Sequence, residues 1–255
     1  MNYKKINNLI GGFIWLVASF VYVSTIESTA SFWDCGEFIA TAYNLEVGHP
    51  PGAPLFMLIG RFFTMFGSGE LAGYSINVLS ALSSSTTILF LFWSITMIVR
   101  KLALKSGELT ESKTIAIFGA AIVGSLAYTF SDSFWFSAVE GEVYAMSSLF
   151  TALVFWTILK WESVASEKHS TRWIVFIAYL MGLSIGVHLL NLLAIPAMVF
   201  LYYFKTRELN FKNFMIAAGF SVLVLGAVQF GIIPGTVSLG AQFELFFVNT
   251  LGMGF

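Results

Sequence analysis

Long apolar stretches separated by short polar segments dominate the hydrophobic pattern of this chain. A helix needs about 20 mainly apolar residues to cross the hydrocarbon core of a bilayer. By that measure we predict about seven membrane-spanning helices, at residues 7–24, 71–99, 114–131, 143–161, 173–188, 189–204 and 213–233. The fifth and sixth are short and closely joined, and Pro196 predicts a kink in the sixth. The pattern therefore predicts an all-α integral membrane protein.

The segment from about 25 to 70 interrupts this pattern, because it is too long for a simple turn. Residues 55–66 are apolar but number only a dozen, which is typical of an interfacial or re-entrant helix. Pro50, Pro51 and Pro54 would end any helix before it. Residues 32–46 predict a second short helix on the membrane surface.

Composition supports the membrane assignment and narrows the chemistry. The chain is 57% hydrophobic and 11% charged, whereas soluble domains carry roughly 25% charged residues. Cys35 is the only cysteine, which excludes an intramolecular disulfide and a multi-cysteine metal site. The first apolar stretch has no clear cleavage motif and is interpreted as a retained signal-anchor. No nucleic-acid partner is expected.

The charges predict an orientation, since basic residues favour the cytoplasmic side. In the seven-helix scheme twelve of the 13 cations lie on the side of the N-terminus, and Arg61 alone lies opposite. The opposite side holds nine of the 14 acids: Glu27, Asp34, Glu37, Glu46, Glu70, Asp132, Glu140, Glu142 and Glu244. We therefore expect a multi-pass protein of the inner (cytoplasmic) membrane, with its N-terminus cytoplasmic and the Asp34 loop extracytoplasmic.

Asp34 and Glu37 are the strongest candidates for chemistry. Three residues apart on a helix, they would share a face and could enter one cleft. Two nearby carboxylates raise the pKa of one of them, which suits a base that works near neutral pH. Phe32, Trp33 and Phe38 are expected to desolvate the pair partly. The alternative is an ordinary solvated loop with acids that have no special role.

Candidate binding residues lie near this pair in the extracytoplasmic loops. His49 could bind a phosphate or orient a carboxylate, or it could belong to a simple turn. Arg61 could bind a phosphate bidentately, or it could only reach towards the interface. Metal dependence stays open, because the acids could bind a divalent cation through oxygen.

The second acidic loop holds Glu140 and Glu142, with Tyr144 following. Two residues apart, the two carboxylates would not point the same way from a regular helix. One is expected to cap the fourth span, and the other could reach the cleft. Tyr144 and His188 are further candidates for substrate binding. His188 and Asn191 could line the same cavity, or could form a helix–helix hydrogen bond.

Three motifs carry a family resemblance: Trp33-Asp-x-Gly-Glu37, Gly48-His-Pro-Pro-Gly52 and Glu140-Gly-Glu-Val-Tyr-Ala145. Together they resemble the bacterial DUF2723 membrane family, over about residues 27–60 and 132–148. That family is related to protein O-mannosyltransferases and belongs to the GT-C glycosyltransferase superfamily. The resemblance implies a single GT-C-like multi-helix module over residues 1–255, with short interfacial helices in its first extracytoplasmic loop.

The implied activity is transfer of a sugar, mannose by analogy, from a polyprenyl-phosphate donor in the lipid to Ser or Thr hydroxyls of exported proteins. Asp34 takes the position of the catalytic acid residue, with Glu37 and His49 as support. The family's eukaryotic relatives have adjacent Asp-Glu and a Lys soon after His-Pro-Pro. Here Cys35 and Gly36 intervene and the Lys is absent, which makes Arg61 the candidate phosphate partner.

Two other functions fit the same features. One is a GT-C enzyme that acts on a glycolipid or wall polymer. The other is a non-enzymatic transporter or assembly subunit, although acids are nearly absent from the span centres. The apolar, Gly-rich end at residues 238–255 suggests the N-terminal part of a larger protein, which alone could be inactive.

Overall fold

In the computed structural model, which describes residues 2–254, every regular element is helical. The α-helices are α1 Tyr3–Ser24, α2 Cys35–Asn44, α3 Pro54–Thr64, α4 Ala72–Leu104, α5 Glu111–Thr129, α6 Asp132–Val139, α7 Val143–Val164, α8 Thr171–Ile185, α9 Ala194–Thr206, α10 Phe211–Ala227 and α11 Ile233–Leu245. Short 3₁₀ turns cover Gly69–Leu71 and Leu189–Leu193, and π-helical turns cover Val228–Ile232 and Phe246–Thr250.

Six helical stretches in the described part are long and apolar enough to cross a membrane: Tyr3–Ser24, Gly69–Leu104, Glu111–Thr129, Val143–Val164, Leu189–Thr206 and Phe211–Thr250. The chain is therefore a multi-pass helical membrane protein, as predicted. The last stretch is longer than predicted, because π-helical turns join α10 and α11 into one run of 40 residues.

The predicted fifth crossing, residues 173–188, differs from the structure. Its helix, α8, has 15 residues, which at 1.5 Å per residue is about 23 Å against a hydrocarbon core of about 30 Å. The apolar sequence continues past Ile185, but Gly186 ends the helix and a turn follows. The described part of the chain therefore has six helices of spanning length, and the predicted fifth crossing is not one of them.

The chain forms two compact units, one ending at Asn191 and the other beginning at Leu192. In the first unit α4 is central and packs against α1, α5 and α7. Its buried positions are mainly small, and small residues let neighbouring helix backbones approach closely; among them are Ser80, Ala81, Ser83, Ser84 and Ser85. In the second unit α9 packs against α10.

The two short helices predicted between the first two spans are present as α2 and α3, and they pack against each other. α2 ends where Leu45 takes a left-handed conformation, with φ of 58°. α3 begins with Pro54, whose fixed φ suits the first helical position. Leu58 and Phe62 of α3 and Phe66 just beyond its end are exposed apolar side chains, as expected of a helix at a membrane surface.

Candidate active site

Asp34, Glu37 and His49 form a cluster at the N-terminal end of α2. Asp34 is the N-cap residue of α2, and Glu37 lies in its first turn. His49, from the loop between α2 and α3, places Nδ1 3.1 Å from Glu37 Oε2 and Nε2 4.0 Å from Asp34 Oδ2. The structure therefore brings together the two predicted carboxylates and the predicted histidine.

Backbone contacts fix His49 in this position. Its own N–H donates to Glu37 Oε1 at 2.6 Å, and its carbonyl accepts the Gly52 N–H at 2.8 Å. Gly52 has φ of +85°, a left-handed conformation that favours glycine. A Cβ at Gly48 would lie 3.1 Å from Met57 Cε and 3.3 Å from Glu37 Oε1, so a larger residue there would displace these side chains by a few tenths of an ångström.

The carboxylates of Glu37 and Asp34 have different surroundings. The hydrogen bonds from the His49 backbone N–H and ring lower the pKa of Glu37. The pKa of His49 is raised, first by its hydrogen bond to Glu37 and then by the negative charges of Glu37, Asp34 and Glu142. Glu37 is thus held as the ionised partner of His49. Asp34, whose side chain is 58% exposed, makes no capping hydrogen bond and stays open to a substrate.

Asp34, Glu37 and His49 could also hold a divalent cation. One ligand atom from each of the three lies within 4.8 Å of the others. Carboxylate oxygens and an imidazole nitrogen are ordinary ligands for such an ion. In that case the ion would place positive charge beside Asp34.

Phe32 and Trp33 do not desolvate these acids as predicted. Their side chains are 79% and 89% exposed, whereas Phe38 is buried and its ring lies 5.6 Å from that of His49. Trp33 has φ of 60°, a conformation that is strained for a bulky residue. The two aromatics therefore project from the loop beside Asp34.

Glu140 and Glu142 are both buried, and their carboxylates meet at one thiol. Cys35 Sγ lies 3.7 Å from Glu140 Oε2 and 3.8 Å from Glu142 Oε1. The prediction that the two acids point apart is wrong, because the backbone there is extended, with φ near −120° at both residues. In extended backbone, residues two apart share a face. Glu142 does occupy the N-cap position of α7, as expected for one of the pair.

Burial is the main cause of the raised pKa values of Glu140, Glu142 and Cys35. Burial, with the charges of Glu140 and Asp34, raises the pKa of Glu142 to about 7, and burial also raises the pKa of Glu140. Burial, then the charges of Glu140 and Glu142, raises the pKa of the Cys35 thiol to about 12. Cys35 is therefore a neutral donor to the acids. A lone cysteine beside Asp34 gave no sequence signal for this role.

Gly141 and Asn77 fasten the second loop to the bundle. A Cβ at Gly141 would lie 2.9 Å from Ile76 Cγ2 and 3.0 Å from Asn77 Oδ1, so the loop lies directly on α4. Asn77 Nδ2 donates to the carbonyls of Glu27 and Thr29, at 2.7 and 3.0 Å. α4 thus ties the loops that carry Glu142 and Asp34 to one surface.

Arg61 lies apart from the carboxylates. Its Nη1 donates to the Tyr43 carbonyl at 2.6 Å, and its guanidinium lies 5.3 Å from the centre of the Tyr43 ring. Tyr43 is nine residues after Asp34, which is about 14 Å along a helix. Arg61 therefore binds the C-terminal end of α2, where a cation is favoured by the helix dipole.

His188 and Tyr144 contact each other, with ring centres 5.4 Å apart. The segment before His188 is fixed to α3, because the Gly186 carbonyl accepts the Leu55 N–H at 2.7 Å. Val187 is buried in the cluster that includes Phe38 of α2. These contacts hold His188 on the part of the bundle that carries α2 and α3. Asn191 forms an interhelical hydrogen bond, one of the two alternatives left open by the sequence, since its Oδ1 accepts from Thr151 of α7 at 2.5 Å.

Comparison with known proteins identifies the family. Residues 34–211 match the N-terminal domain of the protein O-mannosyl-transferase TMEM260, a family formerly called DUF2723. The chain is similar to the protein O-mannosyl-transferase tmem260 of Dictyostelium discoideum, with 24% identity over 207 residues, covering 76% of this chain and 23% of that protein. It is also similar to the Mus musculus TMEM260, with 27% identity over 194 residues, covering 74% and 25%. No solved structure matches the chain.

The chain thus spans about a quarter of the length of these curated relatives. The family match begins at Asp34 and includes Glu37, His49, Glu140 and Glu142. It covers well over half of the chain and confirms the resemblance that the three motifs carry. This chain therefore belongs to the TMEM260 N-terminal domain family of protein O-mannosyl-transferases.

Proposed function

We propose that this chain is the membrane catalytic module of a glycosyltransferase that moves a sugar, mannose by analogy with its relatives, from a polyprenyl-phosphate donor to Ser or Thr hydroxyls of exported proteins. The family match and the printed names of the two relatives support the reaction class. The multi-helix membrane architecture supports a lipid-embedded donor. On the charge pattern, transfer takes place on the extracytoplasmic side.

The observation that carries this proposal is the division of labour between Asp34 and Glu37. Glu37 is engaged by His49 through both of its oxygens, at 2.6 and 3.1 Å, whereas Asp34 keeps an open carboxylate beside them. A base needs a carboxylate that the acceptor hydroxyl can reach. The Asp34 carboxylate is open to an acceptor, and the Glu37–His49 pair fixes the loop beside it.

In the proposed step, the acceptor hydroxyl oxygen attacks the anomeric carbon of the donor sugar. Asp34 takes the hydroxyl proton as the new carbon–oxygen bond forms. The bond from the anomeric carbon to the phosphate oxygen breaks, and the phosphate leaves with the electron pair. Direct displacement by one nucleophile inverts the configuration at that carbon.

Asp34→Asn tests the proposal, because it removes the base without changing the side-chain shape. Transfer is measured in membranes containing the protein, from polyprenyl-phosphate mannose to a Ser/Thr-containing peptide. We expect a loss of about 10²-fold or more, in line with general base catalysis. Glu46→Gln is the matched control, since Glu46 is an exposed acid just beyond the other end of α2.

Unchanged transfer by the Asp34→Asn variant would remove Asp34 from the mechanism. Transfer to a glycolipid or wall polymer instead of the peptide would favour the other GT-C enzyme class. A wild-type protein that binds neither donor nor acceptor would favour the non-enzymatic alternative.

A further inference from the structure

Asn191 carries a buried amide group with an unused donor. Its side chain is 4% exposed, and its Oδ1 accepts from Thr151 Oγ1 at 2.5 Å and from Ser147 Oγ at 3.4 Å. Its Nδ2 has no hydrogen-bond partner among the described residues. A buried donor left unpaired is destabilising, so this end of the amide is suited to an acceptor that the chain does not itself supply.

His188 offers a second donor close by. Its Nδ1 accepts the Leu190 N–H at 3.2 Å, so Nδ1 carries no proton. In a neutral ring with Nδ1 accepting, the proton lies on Nε2. Nε2 has no hydrogen-bond partner within residues 2–254. His188 thus presents a neutral N–H rather than a positive charge.

Tyr144 offers a third donor and aligns with the other two. Tyr144, Ser147 and Thr151 lie at positions i, i+3 and i+7, which form one face of α7. Tyr144 contacts His188, while Ser147 and Thr151 contact Asn191. In the described part of the chain the Tyr144 hydroxyl makes no hydrogen bond. The three donors therefore lie along one line between α7 and residues 188–191.

The segment that carries His188 and Asn191 departs from regular α-helix. α8 is too short to cross the bilayer, and residues 186–193 continue as a turn and a 3₁₀ helix. This irregular backbone contacts the first turn of α7 through the rings of His188 and Tyr144. Tyr144 also lies in the first turn of α7, where the helix dipole favours an anion. The surroundings thus favour a ligand that carries negative charge and several acceptor oxygens.

We propose that Tyr144, His188 and Asn191 bind the phosphate group of the lipid-linked donor through neutral hydrogen-bond donors. This inference rests on the proposed function, which supplies the donor class. In this arrangement the phosphate does not require Arg61, whose Nη1 donates to the Tyr43 carbonyl. The nearest acid along the chain, Glu142, contacts Cys35 instead. The link from Gly186 to Leu55 places the phosphate beside the Asp34 loop.

Binding of undecaprenyl phosphate to the full chain in nanodiscs tests this proposal without requiring turnover. Tyr144→Phe removes only the hydroxyl and keeps the ring against His188. Asn191→Asp keeps the oxygen that Thr151 and Ser147 bind but replaces the free donor with an acidic oxygen. Tyr128→Phe is the matched control, since Tyr128 is 43% exposed and Tyr144 is 47% exposed. Thermal unfolding of each variant confirms that it is folded.

We expect Tyr144→Phe to weaken binding about tenfold and Asn191→Asp about a hundredfold, as for hydrogen bonds to a charged group. Binding of undecaprenol, which lacks the phosphate, is expected to be unchanged by both. Wild-type affinity in both variants, or equal displacement by phosphatidylglycerol, would overturn the inference but leave the proposed function standing. Failure of the wild-type protein to bind undecaprenyl phosphate would overturn both. Asp34→Asn is expected to bind it normally while losing transfer, which separates binding from chemistry.

Discussion

Glu140 and Glu142 are buried beside one thiol, and two such carboxylates cannot both be ionised at low cost. Burial therefore raises the pKa of both carboxyl groups, that of Glu142 to about 7, so near neutral pH the pair carries less than its full double negative charge. That charge faces the cluster above it, because Glu142 raises the pKa of His49 and is itself affected by Asp34. At the scale of residues, the second acidic loop thus sets the field in which the base and its supporting histidine work.

Stability should depend on pH through Glu142. Burial raises its pKa from an ordinary 4.5 to about 7, so in this window the folded protein binds more protons than the unfolded chain. The contribution of Glu142 to stability is then greatest below about pH 4.5 and is lost as pH rises to about 7, by at most roughly 3 kcal/mol. Glu142→Gln removes this titration. We expect the Tm of the variant, relative to wild type in the same detergent, to rise steadily between about pH 5 and pH 8.

The control for this experiment is Glu46→Gln, which removes an exposed acid and should give a Tm difference that does not change with pH. A Tm difference for Glu142→Gln that is flat across the same range would mean that Glu142 titrates normally. That result would contradict the raised pKa of Glu142 and the reduced negative charge of the Glu140–Glu142 pair.

At the scale of elements, the segment between α6 and α7 shows how little backbone fixes the site. The Glu27 N–H donates to the Val139 carbonyl at 3.0 Å, and Gly141 lies against Ile76 and Asn77 of α4. Glu140 and Glu142 flank that glycine in extended backbone. The contact of one glycine with α4 therefore determines where both buried carboxylates point.

Gly141→Ala should disturb the site out of proportion to its size. The added Cβ would lie 2.9 Å from Ile76 Cγ2 and 3.0 Å from Asn77 Oδ1, so the loop or α4 must shift. We expect a loss of about 1–3 kcal/mol in the free energy of unfolding and a marked loss of transfer. Gly119→Ala is the matched control, because no atom lies within 4 Å of its added Cβ and alanine favours a helix. Equal Tm values for the two variants would contradict the proposed packing.

Helix bounds could be predicted where a clear signal marks the helix end. Long apolar stretches marked α1 and α4, and Pro54 marked the start of α3. Helix bounds could not be predicted near Gly186, because apolar residues continue on both sides of the turn. The direction of the Glu142 side chain was predicted wrongly, because the prediction assumed a helix and the backbone at Glu142 is extended.

The pairing of residues in the candidate site was predictable only in part. Asp34 and Glu37 share a helix, so their proximity followed from spacing. The contact of Cys35 with Glu140 joins residues 105 apart in the chain, and the capture of Arg61 by Tyr43 depends on how α3 packs on α2. Neither contact leaves a periodic pattern in the sequence.

At the scale of the whole molecule, basic residues and the acids of the candidate site lie at opposite ends of the first unit. α1 and α4 run antiparallel, since Arg100 near the end of α4 lies over the ring of Tyr3 at the start of α1, at 4.9 Å. Lys101 pairs with Glu162 of α7 at the same end. The Asp34 cluster and the buried acids lie at the other end, beyond the end of α1. A helical bundle with this polarity is expected to place its basic end in the cytoplasm.

Cysteine labelling tests that orientation. In a Cys35→Ser background, Val47→Cys presents a thiol in the loop between α2 and α3, where Val47 is 87% exposed. Glu108→Cys presents one in the exposed loop between α4 and α5. A membrane-impermeant maleimide should label Val47→Cys in intact cells, and Glu108→Cys only after permeabilisation. The reverse pattern would place the Asp34 cluster in the cytoplasm. Exported proteins could not then reach the site, and the acceptor would have to be a cytoplasmic hydroxyl.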